Sequence, residues 1–255
     1  VAGWVLLARV TPGNGASGEA AAYRYRECLG AASECADPLS CESVTDFPRI
    51  RESLAMYSPE LKSSEGLNAA AVSMILRPGP TVPEVLLIER AKREGDPWSG
   101  HMAFPGGRAD PSDSSIQQTG ERETLEEVGL SLERADVIGR LDDLGGRAAA
   151  ANKMVVSAHV YQFDDPGRLV IQSSEVAEAF WVPLDHLTHP DNYVRHVMQY
   201  GEHEIPFPGI NVGDDRPRVV WGLTYRFLEV FFEATGTPLP KYDIPDPEDF
   251  ARISE

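Results

Sequence analysis

The chain has 255 residues, 42% of them hydrophobic and 25% charged, which suits a soluble globular protein of one domain with extensions or two small domains. The formal net charge of -17 argues against a polyanionic nucleic acid as the main partner, because such binding rests on lysines and arginines that neutralise phosphates. A small phosphorylated substrate stays open, since a bound cation changes the local charge, and no apolar run approaches the roughly 18–20 residues that span a bilayer.

Val1–Val10 is apolar but short, with no basic leading region and no convincing cleavage site, so it is not read as a signal peptide. The three cysteines, Cys28, Cys35 and Cys41, are odd in number and lack CxxC spacing. They read as free thiols of a cytoplasmic protein, with a disulfide or metal role as the lesser alternative. Gly13–Gly18 looks like a flexible break, and residues 1–45 are taken as an extension whose role the sequence does not reveal. Asp46–Leu54 is expected to open a short helix with Pro48 early in it. Ala69–Leu76 reads as a buried strand, Pro78–Pro83 as a turn and Glu84–Glu89 as the partner strand. In Asp96–Gly107 the apolar Trp98, Met102 and Phe104 predict a strand edge packed under the following helix; a substrate-facing role for Trp98 or His101 is the alternative.

Gly106–Leu130 carries the chemistry. Pro105, Gly106 and Gly107 punctuate an irregular turn. Asp113 or Ser114 can cap a helix, and Ser114 with Gln117 fits a capping box. Ile116, Thr119, Gly120, Thr124 and Val128 recur at helical spacing, and Gly129 can end the helix. Glu123, Glu126 and Glu127 then project from one face, although like charges at i,i+4 oppose each other by roughly 0.2–0.5 kcal/mol per pair. Two readings follow: a solvated acidic face, or a site for a hard divalent cation, which prefers oxygen ligands shared between carboxylates and substrate phosphates.

The ordered set Gly107, Arg122, Glu123, Glu126, Glu127, Gly129 and Leu130 resembles the signature of the Nudix hydrolases. The loop is one residue longer than the commonest spacing, so Asp113 is the nearest carboxylate to the family's early loop glutamate, and Thr124 stands where an aliphatic residue is usual. The resemblance implies an α/β fold, a Nudix-type α/β/α sandwich with a mixed sheet between helices. It implies that Glu123, Glu126 and Glu127, with the Gly107 carbonyl, hold Mg²⁺ or Mn²⁺, and that Arg122 orients a glutamate. It implies hydrolysis of a pyrophosphate bond in a nucleoside diphosphate derivative, with Glu126 or Glu175 as the base. Nudix proteins often dimerise, so a homodimer is open by resemblance, though no residue pattern fixes an interface. Some members bind nucleotides without cleaving them; a sensor is therefore the second class to keep, against which the three retained glutamates argue.

Further along, Leu141–Ala151 offers Asp142 and Asp143 as rivals to Glu175 for an outlying metal ligand or base. Val155–Phe163 is expected to be a strand with a structural His159, and Glu175–Pro183 another strand region. Asp185–Val212, rich in His, Pro and Gly, looks like a long connection able to cover a pocket, with a turn at Pro206–Gly209. Arg218–Glu233 is predicted to be the second large helix, on the sheet face opposite the first. Lys241–Glu255 reads as an acidic tail, which leaves 46–240 as the domain. Leu86–Arg90 with the segment from Gly100 to Ser115, Glu175–Leu184 and Val220–Thr224 resemble the coenzyme A pyrophosphatase branch. Trp98–His101 and Thr119–Glu123 depart from that branch, which keeps ADP-ribose, NADH and dinucleoside polyphosphates open as substrates.

Overall fold

The computed structural model describes residues 46–62, 68–93, 99–145, 154–200 and 203–240; Trp98, the three cysteines, the 1–45 extension and the 241–255 tail lie outside them. Helix α1 (Phe47–Met56) starts where Asp46 accepts a hydrogen bond from the Arg49 N–H at 2.9 Å, with a proline in its first turn, and it buries Ile50 and Leu54.

Strands β1 (Asn68–Arg77) and β2 (Glu84–Arg90) follow as expected. They meet only at the tip, Leu76 opposite Val85. Lower on the same edge, β4 (Gly106–Arg108) takes the place of β2, pairing Ala71 with Gly107 and Val72 with Gly106. The glycine turn is thereby spliced into the sheet. Its other strands are β3 (Met102–Ala103), β5 (Asp136–Arg140), β6 (Leu144–Gly145), β7 (Met154–Gln162) and β8 (Val176–Pro183). The main path runs β3-β2-β1-β7-β5, with β8 added on β2. β1 and β7 are parallel and the other pairings antiparallel, so the sheet is mixed.

Alternation along the strands divides the core. Met74, Leu76, Val85, Leu87, Val156, Ala158 and Val160 face one side, where they meet Tyr225, Phe227, Leu228, Phe231 and Phe232 of the last helix, α4 (Gly222–Ala234). Ile75, Leu86, Ile88 and Tyr161 face the other, with Val128 of helix α2 (Ile116–Val128). Each fully buried large apolar side chain contributes about 1.5–3 kcal/mol relative to exposure. The sheet therefore lies between α2 and α4, an α/β/α sandwich.

Four expectations are corrected. Met102 and Phe104 do not pack under α2; they join the cluster on the α4 side of the sheet. Asp185–Val212 is not a plain connection: after α3 (Leu184–Thr188) and a short 3₁₀ turn it forms β9 (Tyr193–Tyr200) and β10 (His203–Asn211). Pro206–Gly209 is no turn but part of β10, paired with Val197 through Val194. The prolines are tolerated because β11 (Val219–Trp221) pairs only with Gly209–Asn211, so Pro206 and Pro208 have a strand on one side alone. Finally, the predicted helix over Arg218–Glu233 begins at Gly222, whose φ of 62° breaks from the preceding strand.

Candidate active site

Helix α2 is capped one residue later than expected. Ser115, not Asp113 or Ser114, accepts from the Gln118 N–H at 3.1 Å, and the Gln118 side chain reaches back to the Ser114 N–H. Gly129 ends the helix with φ 67°, as predicted. Val170 and Gln172 donate backbone N–H groups to the carbonyls of Val128 and Glu127, which completes the C-terminal turn. Thr124 is fully buried, and its hydroxyl donates to the Gly120 carbonyl at 2.7 Å, so it fills an aliphatic position without an orphaned polar atom.

The helix lies close on β1. A Cβ on Gly120 would sit 3.0 Å from Ser73 Oγ. The glycine turn packs against the acidic face: a Cβ on Gly107 would lie 2.4 Å from Glu123 Cδ, and one on Gly106, whose φ is 155°, 2.2 Å from the Ala71 carbonyl oxygen. Only glycine brings backbone so near a carboxylate here.

The three helix carboxylates differ in setting. Glu127 is 3% exposed and accepts a hydrogen bond from the Gly106 N–H at 2.9 Å. Burial pushes its pKa up to about 7, against the opposing pull of that hydrogen bond and of Arg90. Glu123 is also raised, first by burial and then by the charges of Glu126 and Glu175 against the pull of Arg122. Glu126 is half exposed and reaches Arg122 at 3.3 Å. Arg122 also binds Glu123 Oε1 at 2.9 Å and the Arg108 carbonyl at 3.0 Å.

Asp113 takes the place the long loop left in question. It accepts from Arg122 Nε at 2.9 Å and Nη2 at 3.1 Å, and from Thr119 Oγ1 at 2.8 Å. The Arg122 guanidinium, with the Asp110 N–H and Thr119, holds its carboxyl far below the usual range.

Glu175 sits in the turn before β8, ion-paired with Arg93 at 3.3 Å. Its carbonyl accepts from the Ala91 N–H at the end of β2, and its charge is felt by both Glu123 and Glu127. The structure thus gathers Glu123, Glu126, Glu127, Glu175, Arg122 and Gly107 in one place. The rivals have other partners: Asp142 accepts from Tyr57 and the Glu60 N–H, and Asp143 is buried with Arg140, Ser157 and the Lys62 N–H. His159 is buried on β7, as a structural residue.

Sequence reasoning missed Arg90, whose charge reaches Glu127, and the ion-pair group in which Arg216 and Arg218 meet Glu89 and Glu178. Arg90 ends the EVLLIER strand, and its place beside the helix follows from period-two alternation. The arginines lie in a loop whose partners no spacing rule could name.

The donor set fits a hard divalent cation: several carboxylates, two of them raised toward neutrality by burial and mutual repulsion, around a backbone turn with no side chains. Among the described residues no three acidic, His or Cys side chains already converge at metal-bonding distance; Arg122 holds Glu126 instead, and Glu126 would have to leave that ion pair to hold a cation together with Glu123 and Glu127.

The sequence profile of the Nudix domain matches residues 67–199. The chain belongs to the Nudix family, a pyrophosphohydrolase by class. It is 32% identical over 212 residues to a mitochondrial coenzyme A diphosphatase of Mus musculus, covering 80% of this chain and 95% of that protein. To the protein of the same description from Homo sapiens it is 32% identical over 204 residues, 79% of this chain and 84% of that one. An uncharacterised protein of Schizosaccharomyces pombe is 39% identical over 163 residues, 61% of this chain, which spans only about half (48%) of that relative's length. Among the described residues no helix is long and apolar enough to cross a membrane.

Proposed function

We propose that this protein hydrolyses the pyrophosphate bond of coenzyme A or its acyl derivatives in a metal-dependent reaction, within a domain spanning 46–240 whose core draws side chains from Ile50 to Leu239. The observation that carries the chemistry is the seating of Glu123, Glu126 and Glu127 against the Gly106–Gly107 backbone. The similarity to the diphosphatases named above supports coenzyme A as the substrate.

A Mg²⁺ or Mn²⁺ ion on Glu123, Glu126, Glu127 and the Gly107 carbonyl would offset phosphate repulsion and lower the pKa of water. The chain's own groups do the rest. The Gly106 N–H fixes Glu127, and Asp113 fixes Arg122, which in turn orients Glu123. Water adds to one phosphorus, the bridging oxygen leaves with the other phosphate, and the proton passes to a carboxylate. Glu126 and Glu175 are both accessible enough to receive it, their side chains 53% and 42% exposed.

Mass-spectrometric product analysis with Mg²⁺ and coenzyme A, beside ADP-ribose, NADH and diadenosine polyphosphates, tests the reading. Release of phosphopantetheine and 3′,5′-ADP as dominant products is expected. Preferred cleavage of another compound discards coenzyme A, and saturable nucleotide binding without turnover replaces the enzyme with a sensor. Glu126→Gln and Glu127→Gln are each expected to lower turnover by about 100-fold or more; unchanged turnover removes them from the site.

A further inference from the structure

We propose that Trp221, His196, Phe207 and His101 form a stacking platform for the purine base of the nucleotide substrate; the assignment rests on the hydrolase reading above and names the part of the substrate these rings hold. Trp221 and His196 stack with centroids 4.4 Å apart and planes 25° apart. His101 meets Trp221 edge-on at 4.8 Å, and Phe207 lies tilted at 5.4 Å. His196 and Phe207 are directly opposite in the β9–β10 ladder, and Trp221 ends β11. The small second sheet thus delivers three rings to a fourth from the main sheet's edge.

Core packing does not account for them. All four are only half-buried, and none belongs to either hydrophobic core cluster. Four partly exposed rings at one point present π-faces that a base can cover, and a base stacks on such faces with little regard to its hydrogen-bonding edge. Burial holds the His196 pKa below its ordinary value, so the ring is neutral near pH 7 and brings no cation into an apolar stack.

The platform also stands within reach of the carboxylates. The His101 carbonyl accepts from the Arg90 N–H at 3.0 Å, and the Arg90 charge acts on Glu127. Thr224 Oγ1 donates to the Met102 carbonyl at 3.2 Å, which ties the start of α4 to β3 beside the rings. His101 lies five positions before Gly106, so the rings and the glycine turn are joined by at most about 18 Å of extended chain. A nucleoside diphosphate with its base on the rings and its phosphates at the turn has a comparable span.

The test uses the full chain and two readouts. In tryptophan fluorescence without added metal, AMP is expected to quench saturably, ribose 5-phosphate and phosphopantetheine are not, and Trp221→Leu is expected to lose the response. In steady-state kinetics on coenzyme A, His196→Ala is expected to raise KM about tenfold with kcat within about twofold. Circular dichroism melts confirm that both variants fold, and His101→Ala provides a third variant off the small sheet. Quenching by phosphopantetheine in place of AMP, quenching that survives Trp221→Leu, or an unchanged KM in both His196→Ala and His101→Ala overturns the platform. Hydrolysis with an unchanged KM overturns the platform and spares the enzyme reading; AMP quenching lost in Trp221→Leu, with no hydrolysis of any nucleoside diphosphate, does the reverse.

Discussion

Asp113 shows how one residue repairs a departure from a motif. The signature loop is a residue too long, yet the chain brings Asp113 to both nitrogens on one edge of Arg122, where a bidentate pair fixes the guanidinium plane. Asp113→Asn keeps the size and weakens that hold. Its kcat is expected to fall about 10–100-fold, as when a partner of a ligand is lost, while the melting temperature shifts by no more than a few degrees; an unaltered kcat would show that Arg122 needs no anchor. His159 supplies the pH prediction. Burial, then the Arg140 charge, depress its pKa to about 4. The unfolded chain takes up a proton near pH 6.5 and the folded one only near 4. Stability is therefore expected to fall as pH drops through that window and to level off below it, by up to about 3 kcal/mol from this group. Urea midpoints of the protein and of His159→Gln at pH 4.5 and 7 check this: the gap between them should narrow at the lower pH, and an equal gap at both argues against it.

At the scale of elements, α2 and β1 press together at one glycine. Gly120 costs the helix roughly 1 kcal/mol relative to alanine, but an added methyl meets Ser73 Oγ at 3.0 Å. Gly120→Ala alone is expected to be near neutral, and in a Ser73→Ala background to stabilise by about 1 kcal/mol, measured by chemical denaturation; equal effects in both backgrounds would exclude the contact. The helix itself was legible because Gly129, the apolar spacing and the Glu–Glu pairs all lie within one local period. Several strands of the main sheet were legible too, EVLLIE from its apolar run and VVSAHVYQF from its alternation, whereas β5 over Asp136–Arg140 carried no such signal. The small sheet was not. Pro206 and Pro208 carry a turn signal that the chain overrides by placing them where only one neighbour pairs. The ring cluster was likewise out of reach, because its place depends on which segments meet across the sheet edge.

For the whole molecule, a net charge of -17 means that an anionic nucleotide approaches against the protein's field. Raising ionic strength from about 10 to about 150 mM shortens the screening length from about 30 to about 8 Å. At fixed free Mg²⁺, kcat/KM for the nucleotide is therefore expected to rise with added salt over that range; a fall would mean that a local cationic funnel outweighs the global charge.

The parallel pairing of β1 with β7 encloses the glycine turn, α2 and β5 in a single crossover. Half of the pairing edge of β1 belongs to β4, so the turn that bears on Glu123 takes its final shape against a strand already zipped to a distant one. Closing so long a loop is entropically costly and precedes its reward. Refolding is therefore expected to restore catalysis at the rate of global closure, checked by following activity and tryptophan fluorescence together after dilution from urea; activity that returns first would sink the idea.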